Sequence, residues 1–160
     1  KNEERLIQAF SYSQLGRDTK LVFTGSADES ISTIIKKFKL DNEIVFTGKL
    51  SESELAAWYK GAIATVFPSL YEGFGLPIIE SMACGTPVIA SNTTSLPEVG
   101  GNAAKYFDPL IIESISEAMR QIVSDAELRQ TMRKLGLVQS EQFSWPKTAE
   151  LVSNALDGII

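Results

Sequence analysis

Two patterns of hydrophobic and polar residues alternate along the chain. Short, nearly continuous apolar runs are typical of strands buried on both faces. They predict strands at 21–25, 43–48, 63–69, 87–91 and 104–109. Segments whose apolar residues recur every three or four positions are typical of amphipathic helices. That spacing predicts an opening helix around Leu6, one helix after each of the first three strands, and helices at 111–124, 126–141 and 145–157.

Two short polar motifs mark where helices are expected to begin. Ser26 with Glu29, and Ser51 with Glu54, have the three-residue spacing of a capping box. In this motif the hydroxyl and the carboxylate each accept a hydrogen bond from a backbone N–H that the first helical turn leaves without a partner. We therefore expect one helix to start at each motif.

The alternation of strands and helices predicts the fold class. It favours one α/β domain over residues 1–160, built on a doubly wound, mainly parallel, Rossmann-like sheet. Such sheets bind ligands outside the carboxyl ends of their strands. Because this fold normally opens with a strand, whereas this chain opens with a helix and without Met, we expect a fragment of a longer protein, cut just after its first strand. A sheet without its first strand would lack an inner member.

Composition narrows the classes of function. The net charge is −5 and no long basic block is present, which argues against nucleic acid as a partner. The chain contains no histidine, so its chemistry cannot use a histidine base, a histidine-ligated metal or a Ser-His-Asp triad from its own residues. Neither a signal peptide nor a run of eighteen apolar residues is seen. The expected location is therefore the cytoplasm.

The run "YEGFGLPIIESMACGTPVIAS" at 71–91 contains two glutamates among apolar, small and turn-forming residues. Pro77 fits only the first turn of a helix, so the spacing predicts a helix from about Leu76 to Cys84, ended by Gly85. Gly73 and Gly75 have no side chain, and their amides can therefore approach a ligand closely. A helix N-terminus beside such glycines suits an anion such as a phosphate.

Glu80 falls about one turn into that predicted helix. A carboxylate can accept both hydroxyl protons of a ribose diol, while Glu72, in the turn, could contact a hydroxyl-rich group at the other end of the ligand. The pattern therefore indicates a nucleotide-diphosphate sugar. Spacing alone leaves a second interpretation open, in which Glu80 is a solvated helix residue and the glycines only form the turn.

The stretch "E-G-F-G-L-P-I-I-E" at 72–80 resembles the signature of retaining glycosyltransferases of the GT-B fold, family 4. The resemblance extends through "VFPSLYEGFGLPIIESMACGTPVIAS", "TSLPEVGGNAAKYFDP" and the tail "FSWPKTAELV", and it covers essentially the whole chain. It implies the C-terminal, donor-binding half of such an enzyme, with the N-terminal acceptor domain absent. The isolated chain is then expected to be inactive as a transferase.

The resemblance implies roles for the residues of the signature. Glu80 would hold the donor ribose. Glu72 would contact hydroxyls of the transferred sugar beside the reacting carbon and would be the catalytic residue. The backbone amides that would face the sugar and the diphosphate are those of Gly73, Phe74 and Gly75.

Four further binding residues are implied in the same way. Leu76 would lie against the nucleoside. Lys49 and Leu50, in the loop that begins at Gly48, would line the base. Lys1 resembles the lysine of an "R…KN" stretch that neutralises the diphosphate, although the arginine of that stretch is not in this chain.

The resemblance also bears on donor, cofactor and partners. No metal or other cofactor is implied, because the chain has neither an Asp-x-Asp pair nor a histidine. Thr94-Ser95 replaces a glycine pair common in the family, which favours GDP-mannose and mannosyl transfer in cell-surface glycan synthesis while leaving UDP-sugars open. The acceptor would be a sugar or glycolipid bound by the missing domain, and any membrane contact would be peripheral.

Three alternatives use the same fold. A nucleotide-sugar epimerase would need the same donor half, and a binding module would hold the nucleotide sugar without catalysis. An NAD-binding domain is disfavoured because no G-x-G-x-x-G follows the first predicted strand.

Overall fold

Strands and helices alternate along the described part of the chain, which is residues 1–16 and 18–157 of a computed structural model. The strands are β1 (Leu21–Phe23), β2 (Ile44–Phe46), β3 (Thr65–Phe67), β4 (Val88–Ser91) and β5 (Ala104–Phe107). The helices are α1 (Glu3–Ser13), α2 (Glu29–Phe38), α3 (Glu52–Gly61), α4 (Leu76–Ala83), α5 (Leu96–Gly100), α6 (Ile112–Ser124), α7 (Ala126–Ser140) and α8 (Trp145–Asp157). The predicted order of elements is confirmed.

All strand pairing between these elements is parallel, as predicted. β1 pairs with β2, and β4 pairs with β3 on one side and β5 on the other. Within the described residues the two groups, β1–β2 and β3–β4–β5, are not hydrogen-bonded to each other.

Helices cover both faces of the sheet, which confirms the doubly wound arrangement. Successive side chains of a strand point to opposite faces, and β4 shows this directly. Ile89 packs in a core cluster with residues of α1 and α6, whereas Val88 and Ala90 pack in a second cluster with residues of α4 and α5. Because β4 is buried along its whole length, its carboxyl end has a fixed position beneath the loops that follow β3, β4 and β5.

The first two strands are shorter than their apolar runs because each run ends in a glycine that leaves the parallel pairing. Gly25 and Gly48 instead form an antiparallel bridge, with N–H to carbonyl distances of 3.0 and 2.9 Å. Both glycines have positive φ, 115° and 71°, a conformation that glycine adopts without steric cost. This bridge holds together the two loops at the carboxyl ends of β1 and β2.

Of the two predicted capping boxes, one is confirmed and one is wrong. Ser51 accepts from the Glu54 N–H, and Glu54 accepts from the Ser51 N–H at 2.8 Å. At the other site α2 is capped by Asp28, whose carboxylate accepts from the Ile31 N–H at 2.8 Å. Ser26 lies two residues too early, since an N-cap side chain reaches only the N–H groups two or three residues ahead.

The final helix, α8, contributes no buried residue. Its first residue, Trp145, is 79% exposed, and Leu151 is 61% exposed. Within residues 1–16 and 18–157, none of the helices has the length and apolar character needed to cross a bilayer.

The correction at α2 can be tested by truncating each candidate cap. We expect Asp28→Ala to lower the free energy of unfolding by about 1 kcal/mol, because it removes the side chain that accepts from a backbone N–H in the first turn of this helix. Ser26→Ala is the matched control and should change it by less than about 0.5 kcal/mol. Urea unfolding measures both, and a larger loss in Ser26→Ala would restore the original assignment.

Candidate functional site

The predicted catalytic glutamate lies in the loop between β3 and α4, at the carboxyl end of β3. Glu72 is partly buried, and its carboxylate oxygen Oε1 accepts a hydrogen bond from the Ser69 hydroxyl at 2.8 Å. Ser69 itself is only 6% exposed and lies two residues after the end of β3. A buried hydroxyl at the sheet edge therefore gives the carboxylate one fixed contact and leaves its remaining lone pairs for other donors.

The backbone of Glu72 is held by the loop that follows β4. Its N–H donates to the Thr94 hydroxyl at 3.2 Å, and its carbonyl accepts from the Ser95 hydroxyl at 3.0 Å. Sequence reasoning noted Thr94 and Ser95 only as a departure from a glycine pair and did not anticipate these contacts. The available signal was a run of hydroxyl residues, 93–95, that starts two residues after the predicted strand 87–91. This strand is β4, which pairs with β3, the strand that leads to Glu72.

Helix α4 begins as the sequence predicts, and its first turn has no side-chain cap among the described residues. Gly75 is the N-cap residue with φ 104°, and a Cβ there would lie 2.9 Å from Leu96 Cδ2. A Cβ at Gly73 would meet no atom of the described structure within 4 Å. The start of α4 therefore combines backbone N–H groups that lack a side-chain partner with an open approach, which suits an anion.

Glu80 lies on the outer face of α4, one turn after Leu76. Both residues are exposed, whereas Ile78 and Met82 of the same helix are fully buried. The Glu80 carboxylate lies close enough to Tyr59 of α3 to interact with it electrostatically. Because Glu80 is open to solvent, its position in an apolar run carries no burial cost.

Tyr59 is perturbed by this arrangement. Its partial burial, which is the largest cause, and its electrostatic interactions with Glu80 and Cys84 raise the pKa of Tyr59 to about 12. All of these effects favour the neutral phenol, which can donate to a carboxylate. Tyr59 was not singled out for this site from the sequence.

Asn2 brings the start of α1 to the same edge of the sheet. Its side-chain amide donates to the carbonyl oxygens of Pro68, at 3.0 Å, and Pro109, at 2.8 Å. These prolines follow β3 and β5, so Asn2 bridges the two loops on either side of the end of β4. Lys1 is exposed and directly precedes this anchor, which places it at the carboxyl end of the sheet.

The predicted base-binding residues line a separate open cleft of about 420 Å³ at the ends of β1 and β2. Lys49 and Leu50 contribute to it, together with the bridged Gly25 and Gly48. Phe74, by contrast, packs edge-on against Phe143 with ring centroids 6.0 Å apart. The predicted site residues thus lie in three places: the end of β2, the β3–α4 segment and the start of α1.

Comparison with known proteins identifies the family. The sequence profile described as "Glycosyl transferases group 1" matches residues 1–137. The chain belongs to this family. Its α/β architecture also matches solved glycosyltransferase structures, which confirms the GT-B type of fold.

Sequence relatives include bacterial mannosyltransferases. The chain is 36% identical over 162 residues to an O-antigen chain mannosyltransferase B of Escherichia coli, covering 97% of this chain and 42% of the relative. It is also 36% identical to a serotype-specific mannosyltransferase of Escherichia coli, covering 94% of this chain and 19% of the relative. The chain thus spans less than half the length of either relative.

Solved structures that superpose on this chain also include a glycosyl transferase group 1 family protein. A sucrose-phosphate synthase from Thermosynechococcus elongatus superposes with a TM-score of 0.83 at 26% identity, covering 99% of this chain and 42% of that one. The C-terminal domain of a glycosyl transferase group 1 family protein from Francisella tularensis gives 0.78 at 25% identity, covering 89% and 78%. A glycosyltransferase domain is therefore favoured over the epimerase and binding-module alternatives.

The raised pKa of Tyr59 predicts how stability depends on pH. An unfolded tyrosine ionises near pH ~10, whereas folded Tyr59 ionises near pH 12. The unfolded state therefore loses this proton first, and the contribution of Tyr59 to folding, complete below pH ~10, is lost as the pH rises toward 12. We expect Tyr59→Phe to make the fall in unfolding free energy over this range shallower.

Urea unfolding at several pH values measures this effect. Glu80→Gln should have a smaller effect in the same direction, because it removes the charge and leaves the burial of Tyr59 in place. Glu98→Gln, on the exposed first turn of α5, is the matched control and should follow the wild type. Identical pH profiles for wild type and Tyr59→Phe would contradict the assigned perturbation.

Proposed function

We propose that this chain is the donor-binding half of a retaining, family 4 glycosyltransferase that transfers mannose from GDP-mannose to a sugar or glycolipid acceptor. The observation that carries the proposal is the placement of Glu72 and Glu80 on either side of the uncapped start of α4. Family membership supports the transfer reaction, and the relatives named as mannosyltransferases support the sugar.

In this proposal the donor lies along the carboxyl edge of the sheet. Glu80 accepts both hydroxyl protons of the ribose, and Leu76, on the same face of α4, lies against the nucleoside. Lys49 and Leu50 line the cleft that takes the base. An exposed carboxylate can turn to a new partner at little cost, so Glu80 is free to exchange solvent for the ribose diol.

We assign binding of the diphosphate to positively polarised groups of the protein rather than to a cofactor. The backbone N–H groups of Gly73, Phe74 and Gly75 and the dipole of α4 offer partial positive charge, and Lys1 adds a full one. No metal ion takes part in the proposed step. Charge stabilisation of this kind lowers the barrier because the diphosphate gains negative charge as it departs.

The transfer step exchanges one bond for another at the anomeric carbon. The bond from this carbon to the diphosphate oxygen breaks, and a bond to the acceptor hydroxyl oxygen forms on the same face, which retains the configuration. The acceptor proton leaves with the diphosphate. Glu72 orients the sugar hydroxyls and balances the positive charge that develops on an oxocarbenium-like centre.

The surroundings of the reaction are part of the proposal. We assign the acceptor to a second domain outside this chain, and expect the 160-residue chain alone to bind donor without transferring sugar. The donor places the reaction in the cytoplasm, with any contact to the inner face of the membrane peripheral.

Calorimetric titration of the chain with GDP and with UDP tests the ribose assignment. We expect GDP to bind more tightly, and Glu80→Gln to weaken binding roughly 10- to 100-fold because hydrogen bonds to a charged group are lost. Glu98→Gln is the control and should bind as the wild type does. Equal binding by wild type and Glu80→Gln would remove Glu80 from the site, and tighter binding of UDP would replace the proposed base.

Steady-state kinetics of the intact protein test the role of Glu72. We expect Glu72→Gln to lower kcat on the order of 100-fold, typical of losing one preorganised charged group, while the KM for GDP-mannose changes little. Glu52→Gln, on the exposed first turn of α3, is the matched control. Equal losses in kcat and in donor affinity would make Glu72 a general binding residue instead.

A further inference from the structure

Three consecutive hydroxyl residues after β4 fasten the loop that carries Glu72. We call Thr93, Thr94 and Ser95 the hydroxyl clamp. The Thr93 hydroxyl donates to the carbonyl of Ser69 at 3.4 Å. Thr94 accepts from the N–H of Glu72 at 3.2 Å, and Ser95 donates to its carbonyl at 3.0 Å. Both backbone polar groups of Glu72 are thus held by side chains from one neighbouring loop.

The carboxylate of Glu72 depends on the same clamp through Ser69. The Ser69 hydroxyl donates to Glu72 Oε1 at 2.8 Å, and the carbonyl of Ser69 is the group that Thr93 contacts. Hydrogen bonds therefore connect both the backbone and the side chain of Glu72 to the loop after β4, the side chain through Ser69. Since β4 is completely buried, this loop starts from a fixed point.

The backbone of Thr94 shows that the clamp is maintained at a cost. Thr94 has φ 52°, and the other non-glycine residues with positive φ in the described chain are Asn2, Gln14 and Lys39. Gln14 and Lys39 are C-cap residues, where this conformation is common, and Asn2 is an asparagine, which adopts it more readily than other residues with a Cβ. Thr94 lies between β4 and α5 and is β-branched, which makes the conformation strained. A glycine there would be relaxed but could not accept from Glu72.

We infer that the hydroxyl clamp positions the catalytic carboxylate: Thr94 and Ser95 hold the Glu72 backbone, and Thr93 holds Ser69, which orients the Glu72 side chain. The inference rests on the proposed function of Glu72. The clamp residues are positioning residues, because they act on the substrate only through Glu72 and Ser69. The strained backbone of Thr94 is then explained by the need for a side-chain hydroxyl that accepts from the Glu72 N–H, which glycine lacks.

Hydrogen exchange tests the clamp without any assay of activity. Thr94→Val keeps the shape and the β-branching of the side chain but removes the acceptor, so the Glu72 amide should exchange about tenfold faster, as expected for one hydrogen bond. Thr94→Ser keeps the hydroxyl and should retain protection. Thr33→Val, which removes an exposed hydroxyl from α2, is the matched control and should leave the Glu72 amide unchanged.

Kinetics of the intact protein with GDP-mannose test positioning. Thr94→Val and Ser95→Ala should each lower kcat about tenfold while the donor KM stays within about twofold, since the carboxylate is displaced and not removed. Thr94→Ser should keep near wild-type kcat. Thr94→Gly separates the clamp from simple stability: it relieves the strained φ, so the unfolding midpoint should not fall, yet kcat should drop as it does in Thr94→Val.

The possible outcomes distinguish a failure of the hydroxyl-clamp inference from a failure of the proposed donor. If Glu72 exchanges equally fast in wild type and Thr94→Val, the clamp does not hold it and the inference is overturned. If exchange accelerates and Glu72→Gln lowers kcat but Thr94→Val does not, holding Glu72 has no role in transfer and the inference is again overturned. If the wild type fails to use GDP-mannose, the proposed donor is wrong, and the exchange experiment still decides whether the clamp exists.

Discussion

β4 is paired on both edges and buried on both faces, and the placement of the candidate site depends on it. Parallel pairing with β3 and β5 brings three loops to one edge of the sheet. The glutamate loop follows β3, the hydroxyl clamp follows β4, and the Pro109 carbonyl that Asn2 contacts follows β5. Side chains far apart in sequence therefore meet through the register of one strand.

The electrostatics of the site are local and do not follow the net charge. The chain has a net charge of −5, and its two signature glutamates flank the place where an anionic diphosphate is proposed to lie. A negatively charged protein can receive an anion there because backbone N–H groups at a helix start carry partial positive charge that is effective within one turn. The glutamates can then serve neutral hydroxyl groups on either side.

Sequence reasoning recovered the parts of the structure that depend on local pattern. The order of elements, the parallel α/β fold and the start of α4 at Leu76 follow from apolar periodicity and from Pro77 and Gly75. The cap of α2 was misassigned because Ser26 and Asp28 both lie within a few residues of the helix start, and pattern alone does not choose the register. The contacts of Asn2, Tyr59 and Thr94 were missed because each joins segments that only the folded sheet brings together.

The division of the strands into two hydrogen-bonded groups has a consequence for the length of ligand that the protein can bind. The cleft with Lys49 and Leu50 belongs to the β1–β2 group, and Glu72 belongs to the β3–β4–β5 group. The two groups share a core in which Ile7 and Phe10 of α1 pack, so the volume of these side chains contributes to the spacing between them. A change in the size of one buried aliphatic residue of α1 would alter that spacing, and with it the length of ligand that fits, without touching the ligand at all.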